Sequence, residues 1–203
     1  MRRLTIIVAA SKANGIGRHG SLPWRLPKEM KYFARATSEA AEGKQNAVVM
    51  GRKTWESIPN KFRPLGKRLN VVISRNAAYS LCAEGPRLAS DLTDAVKQLD
   101  DATPVPIDKT FIIGGATIYE QSIALEPEGD TGFVDRILLT RIVSPAFEDC
   151  DTFFPNSQGN EIGAEWKQTT HGELEEWVGF EIPAGVQNEN GVEYEFQMWT
   201  RGV

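Results

Sequence analysis

Short, strongly apolar runs rich in β-branched residues recur along this chain, and helix-like stretches separate them. The runs lie at residues 4–10, 47–50, 69–73, 111–113 and 137–140. A run that is apolar at every position, rather than at every second one, suits a strand covered on both faces. Residues 28–37, 91–99 and a stretch from Gly114-Gly115 to about residue 123 read as helices, with Ser90 placed to cap the second. Strands alternating with helices predict an α/β fold whose central twisted sheet is mostly parallel, with helices on both faces. The C-terminus differs. Val192, Tyr194, Phe196 and Met198 alternate with Glu193, Glu195 and Gln197, which predicts an antiparallel hairpin strand with one wet face. Its partner is expected around residues 165–170. Residues 124–131 and 155–163 read as surface insertions.

At 203 residues a single domain is the default. The formal net charge of −4 argues against a general nucleic-acid binder. Cys82 and Cys150 make no metal-ligand spacing, and His19 and His171 stand far apart, so no metal site is expected. Two isolated histidines also disfavour a hydrolase triad. Two free thiols fit a reducing compartment, and a cytoplasmic location is expected. Met-Arg-Arg before an apolar run resembles the start of a signal peptide, but the run is short and Lys12 and Arg18 follow it. No apolar stretch approaches the roughly 20 residues of a membrane span.

Glu29 stands out chemically. It is the only acid between Ala13 and Ser38, and Pro27 just before it suits the first position of a helix. Helical spacing then aligns Glu29 with Phe33 and Ala36. The helix N-terminus favours the anion by roughly 0.3–1 kcal/mol. Burial opposes it and raises a carboxyl pKa by up to about 3–5 units. In a dry site desolvation wins, and the group holds or passes a proton near neutral pH.

Three loops that follow predicted strands favour anions. Gly51-Arg52-Lys53-Thr54 combines a helix start with two cations, Ser74-Arg75 adds a hydroxyl and a guanidinium, and Gly114-Gly115-Ala116-Thr117 offers close backbone approach. Ligands of open α/β sheets bind at the carboxyl ends of strands. Three such loops suit a phosphorylated dinucleotide. Gly15-Ile-Gly17-Arg-His-Gly20 matches G-x-G-x-x-G, but Ser-Leu-Pro-Trp follows it where the dinucleotide motif needs a helix. It reads instead either as a mobile surface loop able to close over a ligand or as an ordinary turn.

In order and spacing, the chain resembles the dihydrofolate reductase family over nearly its whole length, and its eukaryotic, fungal form in particular. The resemblance rests on Ile7-Val8-Ala9, Asn14-Gly-Ile-Gly17, Leu22-Pro-Trp24, Glu29, Met50-Gly-Arg-Lys-Thr-Trp55, Ser57-Ile58-Pro59, Arg63-Pro64-Leu65, Ser74-Arg75, Ile113-Gly-Gly115, Tyr119, Thr140-Arg141 and Asp151-Thr-Phe-Phe-Pro155. It implies a single-domain dihydrofolate reductase-like fold with an adenosine-binding lobe at about residues 44–108. It also implies NADPH-dependent reduction of 7,8-dihydrofolate by a monomer of one-carbon metabolism that antifolates inhibit.

By position, the resemblance implies that Glu29 holds the pterin, Thr140 orients Glu29, and Trp24 holds a water that delivers the proton to N5, with Tyr119 also in the catalytic group. Ile7, Val8 and Ile113 would line the pterin pocket, and Met30, Phe33, Ile58 and Leu65 would flank the aminobenzoyl ring. Arg68 would pair with the glutamate α-carboxylate. On the cofactor side, Ala9 and Ile16 would touch the nicotinamide carboxamide. Gly51, Lys53 and Thr54, with Gly114, Gly115, Ala116, Thr117 and Ile118, would hold the pyrophosphate. Arg52, Ser74 and Arg75 would select the 2′-phosphate. The family also places a cis peptide at the position of Gly114-Gly115. One departure concerns the order Gly66-Lys67, where the family has Lys-Gly; a different local turn is expected there.

Overall fold

The computed structural model describes residues 2–100, 104–127, 132–155, 163 and 165–202. The stretches read as surface insertions fall in large part outside the described residues. The chain divides into two compact units, Met1–Ile6 with Thr37–Val134 and Ile7–Ala36 with Asp135–Val203.

The first unit is built on a parallel ladder. The start of β1 (Arg3–Ala10) pairs with β6 (Ile107–Ile112), placing Leu4 opposite Thr110. β6 pairs with β3 (Gln45–Gly51), β3 with β4 (Arg68–Ile73), and β4 with β5 (Arg87–Ala89), all parallel. Ala47, Val48, Val49 and Met50 are wholly buried, as are Val71 and Val72, which is why these strands are apolar on consecutive positions. The helices of this unit are α2 (Arg52–Ser57), α3 (Leu92–Asp100) and α4 (Ala116–Ile123). α3 buries Leu92, Ala95, Val96 and Leu99, the i, i+3, i+4, i+7 stripe of an amphipathic helix. Its cap is Asp91 rather than Ser90. Asp91 Oδ1 accepts the Asp94 N–H at 2.8 Å, and the Asp94 carboxylate accepts the Ser90 N–H at 2.8 Å. The helix starts at Leu92, so the capping position falls on the aspartate.

The second unit is antiparallel at its C-terminal end. β7 (Phe133–Ser144) pairs with β11 (Val192–Thr200), with Thr140 opposite Phe196, and β11 turns back onto β10 (Gln187–Glu189). β9 (Lys167–Gln168) lies where a partner for β11 is expected, but it meets only the end of that strand. β11 alternates buried and half-buried residues along its length, as its sequence predicts. α1 spans Pro27–Ser38, with Pro27 as its first residue, and α5 spans His171–Val178. α5 carries a Thr170–Glu173 capping box and ends at Gly179 with φ 86°.

Within the G-x-G-x-x-G segment, Gly15–Gly17 form strand β2, paired with β8 (Thr152–Phe153). A Cβ on Gly15 would sit 2.5 Å from Cys150 Sγ. The glycine is therefore there for close approach of two segments and not for phosphate binding. The α/β class, the parallel ladder and the antiparallel C-terminal hairpin agree with the sequence reading.

Candidate active site

In the second unit, the first turn of α1 carries Glu29, which is 7% exposed. Thr140, at the middle of β7, donates from Oγ1 to Glu29 Oε1 at 3.1 Å. Burial pushes the Glu29 carboxyl up to about 7; the Thr140 hydrogen bond pulls it down and the charge of Glu189 pushes it up. The competition posed by the sequence is thus decided for desolvation. Tyr32, one turn along α1, is buried and its hydroxyl is raised by desolvation and by Glu29. Trp24 is buried with its ring edge-on to Phe147 at 5.2 Å, and its Nε1–H has no hydrogen-bond acceptor among the described residues. Ile7 and Val8 are buried on β1, Ala9 beside them is half-buried, and Ile16 is half-buried on β2. On α1, Phe33 is half-buried and Met30 is exposed.

Arg141 follows Thr140 on β7, and it is a buried cation to which sequence reasoning, quoting it only as part of the Thr140-Arg141 motif, assigned no role. Its Nη1 donates to the Ser11 carbonyl at 2.6 Å and to Asn14 Oδ1 at 2.7 Å. Alternation along a strand sends neighbouring side chains to opposite faces. Thr140 therefore reaches Glu29 while Arg141 ties down the segment that leads into β2. Asn14 stands at φ 60°, and its carbonyl accepts from Phe154.

In the first unit, three of the predicted cofactor positions converge on a Gly-Gly corner. Gly114-Gly115 is a cis peptide, and the Gly114 carbonyl accepts from the Gly51 N–H at 2.7 Å. Gly114 has φ 104°, and a Cβ there would meet the Tyr119 hydroxyl at 3.0 Å. Gly115 caps α4 without any side-chain hydrogen bond, and Gly51 stands in the same relation to α2. A Cβ on Gly51 would lie 3.2 Å from Ile118, and one on Gly115 would lie 3.5 Å from Thr54 Oγ1. Tyr119 and Ile118 are buried, whereas Lys53 and Thr117 are exposed and Ala116 is half-buried. Arg52 runs along its own helix, with Nε 3.8 Å from Glu56 Oε1 and its guanidinium over the Tyr79 ring. Beyond β4, Ser74 is buried and its Oγ accepts the Asn76 N–H at 3.2 Å, while Arg75 is exposed.

Arg68 and Leu65 belong to one short turn of the same unit. Arg68 Nε donates to the Gly66 carbonyl at 3.0 Å and its Nη1 donates to Thr37 Oγ1. Desolvation lowers the guanidinium pKa. Asn70, which sequence reasoning did not single out, binds the turn from both ends. Its Oδ1 accepts the Leu65 N–H, and its Nδ2 donates to the Leu65 and Arg68 carbonyls, all at 2.9 Å. The available signal was a polar residue inside the apolar run of β4, buried to 2% exposure. At Gly66-Lys67, where the family has Lys-Gly, Lys67 itself takes φ 60°, one residue after the glycine. Ile58 is half-buried at the end of α2, and Ile113 is buried just after β6.

Among the described residues, no group of His, Cys, Asp and Glu could hold a metal ion, and no helix is long and apolar enough to cross a membrane. A buried, protonatable carboxyl beside a hydroxyl donor suits an amidine-like ring with two parallel N–H donors. Uncapped helix starts beside cations suit phosphates.

The dihydrofolate reductase family profile matches residues 3–199. Dihydrofolate reductase of Pneumocystis carinii is 43% identical over 212 aligned positions, covering 100% of this chain and 98% of that protein. The Cryptococcus neoformans dihydrofolate reductase is 42% identical, with 97% and 93% covered. Among solved structures, Schistosoma mansoni dihydrofolate reductase superposes with a TM-score of 0.78 at 33% identity, covering 99% of each chain.

Proposed function

The chain belongs to the dihydrofolate reductase family, and from that premise we propose that it reduces 7,8-dihydrofolate to 5,6,7,8-tetrahydrofolate with NADPH, using Glu29 to hold the pterin. The observation that carries this reading is the buried Glu29 carboxyl, which takes the Thr140 hydrogen bond and has a proton affinity near neutrality. The pterin N3–H and 2-amino group present two parallel donors, and one carboxylate accepts both. In a dry site that pair is electrostatically strong. It polarises the ring and makes N5 more basic. The buried indole N–H of Trp24 needs an acceptor, and a water there would stand ready to deliver the proton to N5. Ile7, Val8 and Ile113 line the pterin ring in this reading, and Met30, Phe33, Ile58 and Leu65 flank the aminobenzoyl group. Arg68, already oriented by Thr37 and Gly66, pairs with the α-carboxylate, whose charge offsets the desolvation of the guanidinium.

The residues of the first unit fit NADPH. At Gly114 the φ of 104° disfavours any side chain and a Cβ would press on the Tyr119 ring, and two helix starts lack side-chain caps. When bound, NADPH supplies the hydride, from its nicotinamide C4 to the pterin C6. Gly51, Lys53, Thr54 and the backbone of residues 114–118 hold the pyrophosphate. Arg52, Ser74 and Arg75 take the 2′-phosphate, and Ala9 and Ile16 contact the carboxamide. Tyr119 shapes the Gly-Gly corner. The reading extends to a cytoplasmic monomer that 2,4-diaminopteridine antifolates inhibit.

The test is direct. Purified protein should consume NADPH only when dihydrofolate is present, and a 2,4-diaminopteridine should stop it. No dihydrofolate-dependent loss of NADPH absorbance would overturn the reading.

A further inference from the structure

Glu189, the last residue of β10, reaches the start of α1. Both of its carboxylate oxygens accept the backbone N–H of Lys28, at 2.9 and 3.0 Å. The Tyr194 hydroxyl of β11 donates to Glu189 Oε2 at 3.3 Å, and Asn190 Nδ2 donates to the Arg25 carbonyl at 2.9 Å. The first N–H groups of a helix have no partner within it, and an anion placed there is favoured. Local sequence assigns that task to Glu29, an acid in the first turn. The structure gives it to an acid 161 residues away. Two acids therefore share one helix start. Glu189 takes the helix N–H, and Glu29 faces Thr140.

We propose that Glu189 is a positioning residue for dihydrofolate reduction: it holds the first turn of α1 and sets the electrostatic surroundings in which Glu29 meets the pterin. The proposal rests on the reading of Glu29 given above. A cap that only held the helix would be served equally by any acceptor. A carboxylate does more, because like charges disfavour ionisation of the neighbour. The groups facing Glu29 are Thr140 from β7, Glu189 from β10, Tyr194 from β11 and Tyr32 from its own helix. Glu189 acts to keep the proton on Glu29, whereas Thr140 acts to remove it. The Tyr194 hydroxyl, pushed up to about 12 by burial first and by Glu189 next, stays a neutral donor throughout the working range.

Two variants separate holding from charge. Glu189→Gln keeps an acceptor for Lys28 and removes the charge; Glu189→Ala removes both. The Glu29 carboxyl is followed by pH titration of protein labelled with carboxyl-¹³C glutamate, its signal assigned by loss in Glu29→Gln. In Glu189→Gln the Glu29 midpoint should move down, and the pH at which dihydrofolate turnover bends should move with it, while KM for dihydrofolate stays near that of the parent. In Glu189→Ala the same downward shift should come with a raised KM. An unmoved Glu29 midpoint in Glu189→Gln would overturn the proposal, as would an unchanged KM in a folded Glu189→Ala. Should Glu189→Ala fail to fold, Glu189→Gln decides alone. Full turnover by Glu29→Gln would instead overturn the role of Glu29, an outcome the titration does not depend on.

Discussion

Thr140 Oγ1 donates to Glu29 Oε1 at 3.1 Å, which joins the middle of β7 to the first turn of α1 across 111 positions of sequence. Both residues are buried, so the bond has little competition from water. A hydrogen bond to a charged group is worth about 1.5–3 kcal/mol. Thr140→Val should therefore lower kcat/KM for dihydrofolate by roughly tenfold to a hundredfold. It should also move the Glu29 midpoint further up, because the lost bond favoured the anion. Thr140→Ser should retain most of both. An unmoved or lowered midpoint in the valine variant would contradict the assignment.

Burial of Glu29 carries a stability signature. Its carboxyl is raised to about 7 in the folded chain, while an unfolded glutamate titrates at about 4.3. Between those values the folded state keeps a proton that the unfolded state has lost. Stability therefore falls as pH rises through that window and levels off above it, by about 4 kcal/mol in all. Glu29→Gln cannot lose that proton. Denaturant unfolding without ligand should show the variant gaining on the parent between about pH 4 and about pH 7. A difference that stays constant with pH would mean that Glu29 is solvated.

Cofactor choice is expected to depend on the end of β4. Arg75 is exposed next to the buried Ser74, whose hydroxyl is engaged by the Asn76 N–H. That bond uses the oxygen as acceptor and leaves the hydroxyl proton for a phosphate, but the charged guanidinium is the stronger partner of the two. Arg75→Ala should narrow the kcat/KM preference for NADPH over NADH by roughly tenfold or more, the worth of one charge-assisted bond. Steady-state kinetics with both cofactors would check this. An unchanged ratio would leave the 2′-phosphate to Arg52 or Ser74.

Lys67 holds a left-handed backbone at φ 60° while Gly66, just before it, has open space around its α-carbon. A side chain in that conformation costs roughly 1–2 kcal/mol, and glycine gives part of this back through the entropy of the unfolded chain. Lys67→Gly should thus stabilise the protein by up to about 1 kcal/mol, seen as a higher denaturant midpoint at unchanged slope. A clear loss of stability would mean that the lysine side chain is held by contacts that outweigh the strain.

Much of this molecule is legible in its sequence because the signals are local. The consecutive apolar residues of β3 and β4, the alternation in β11 and Pro27 at the head of α1 each act within a few positions, and all appear where they were read. Glu29 drew notice as an acid on an apolar stripe, and it is buried. Other features were decided only by tertiary structure. Asn70 looks like a flaw in a strand until its side chain meets Leu65 and Arg68. The G-x-G segment reads as a loop until β8 pairs with it. Glu189 is one acid among many near a turn, yet it supplies the anion at the start of α1. The reason is physical. Propensity and periodicity act along the chain, whereas hydrogen bonding, burial and like-charge repulsion act through space. The sequence by itself determined that Glu29 would stand on the first turn of a helix. Only the folded arrangement of Thr140, Glu189 and the surrounding apolar packing decided that its proton would be held near neutrality.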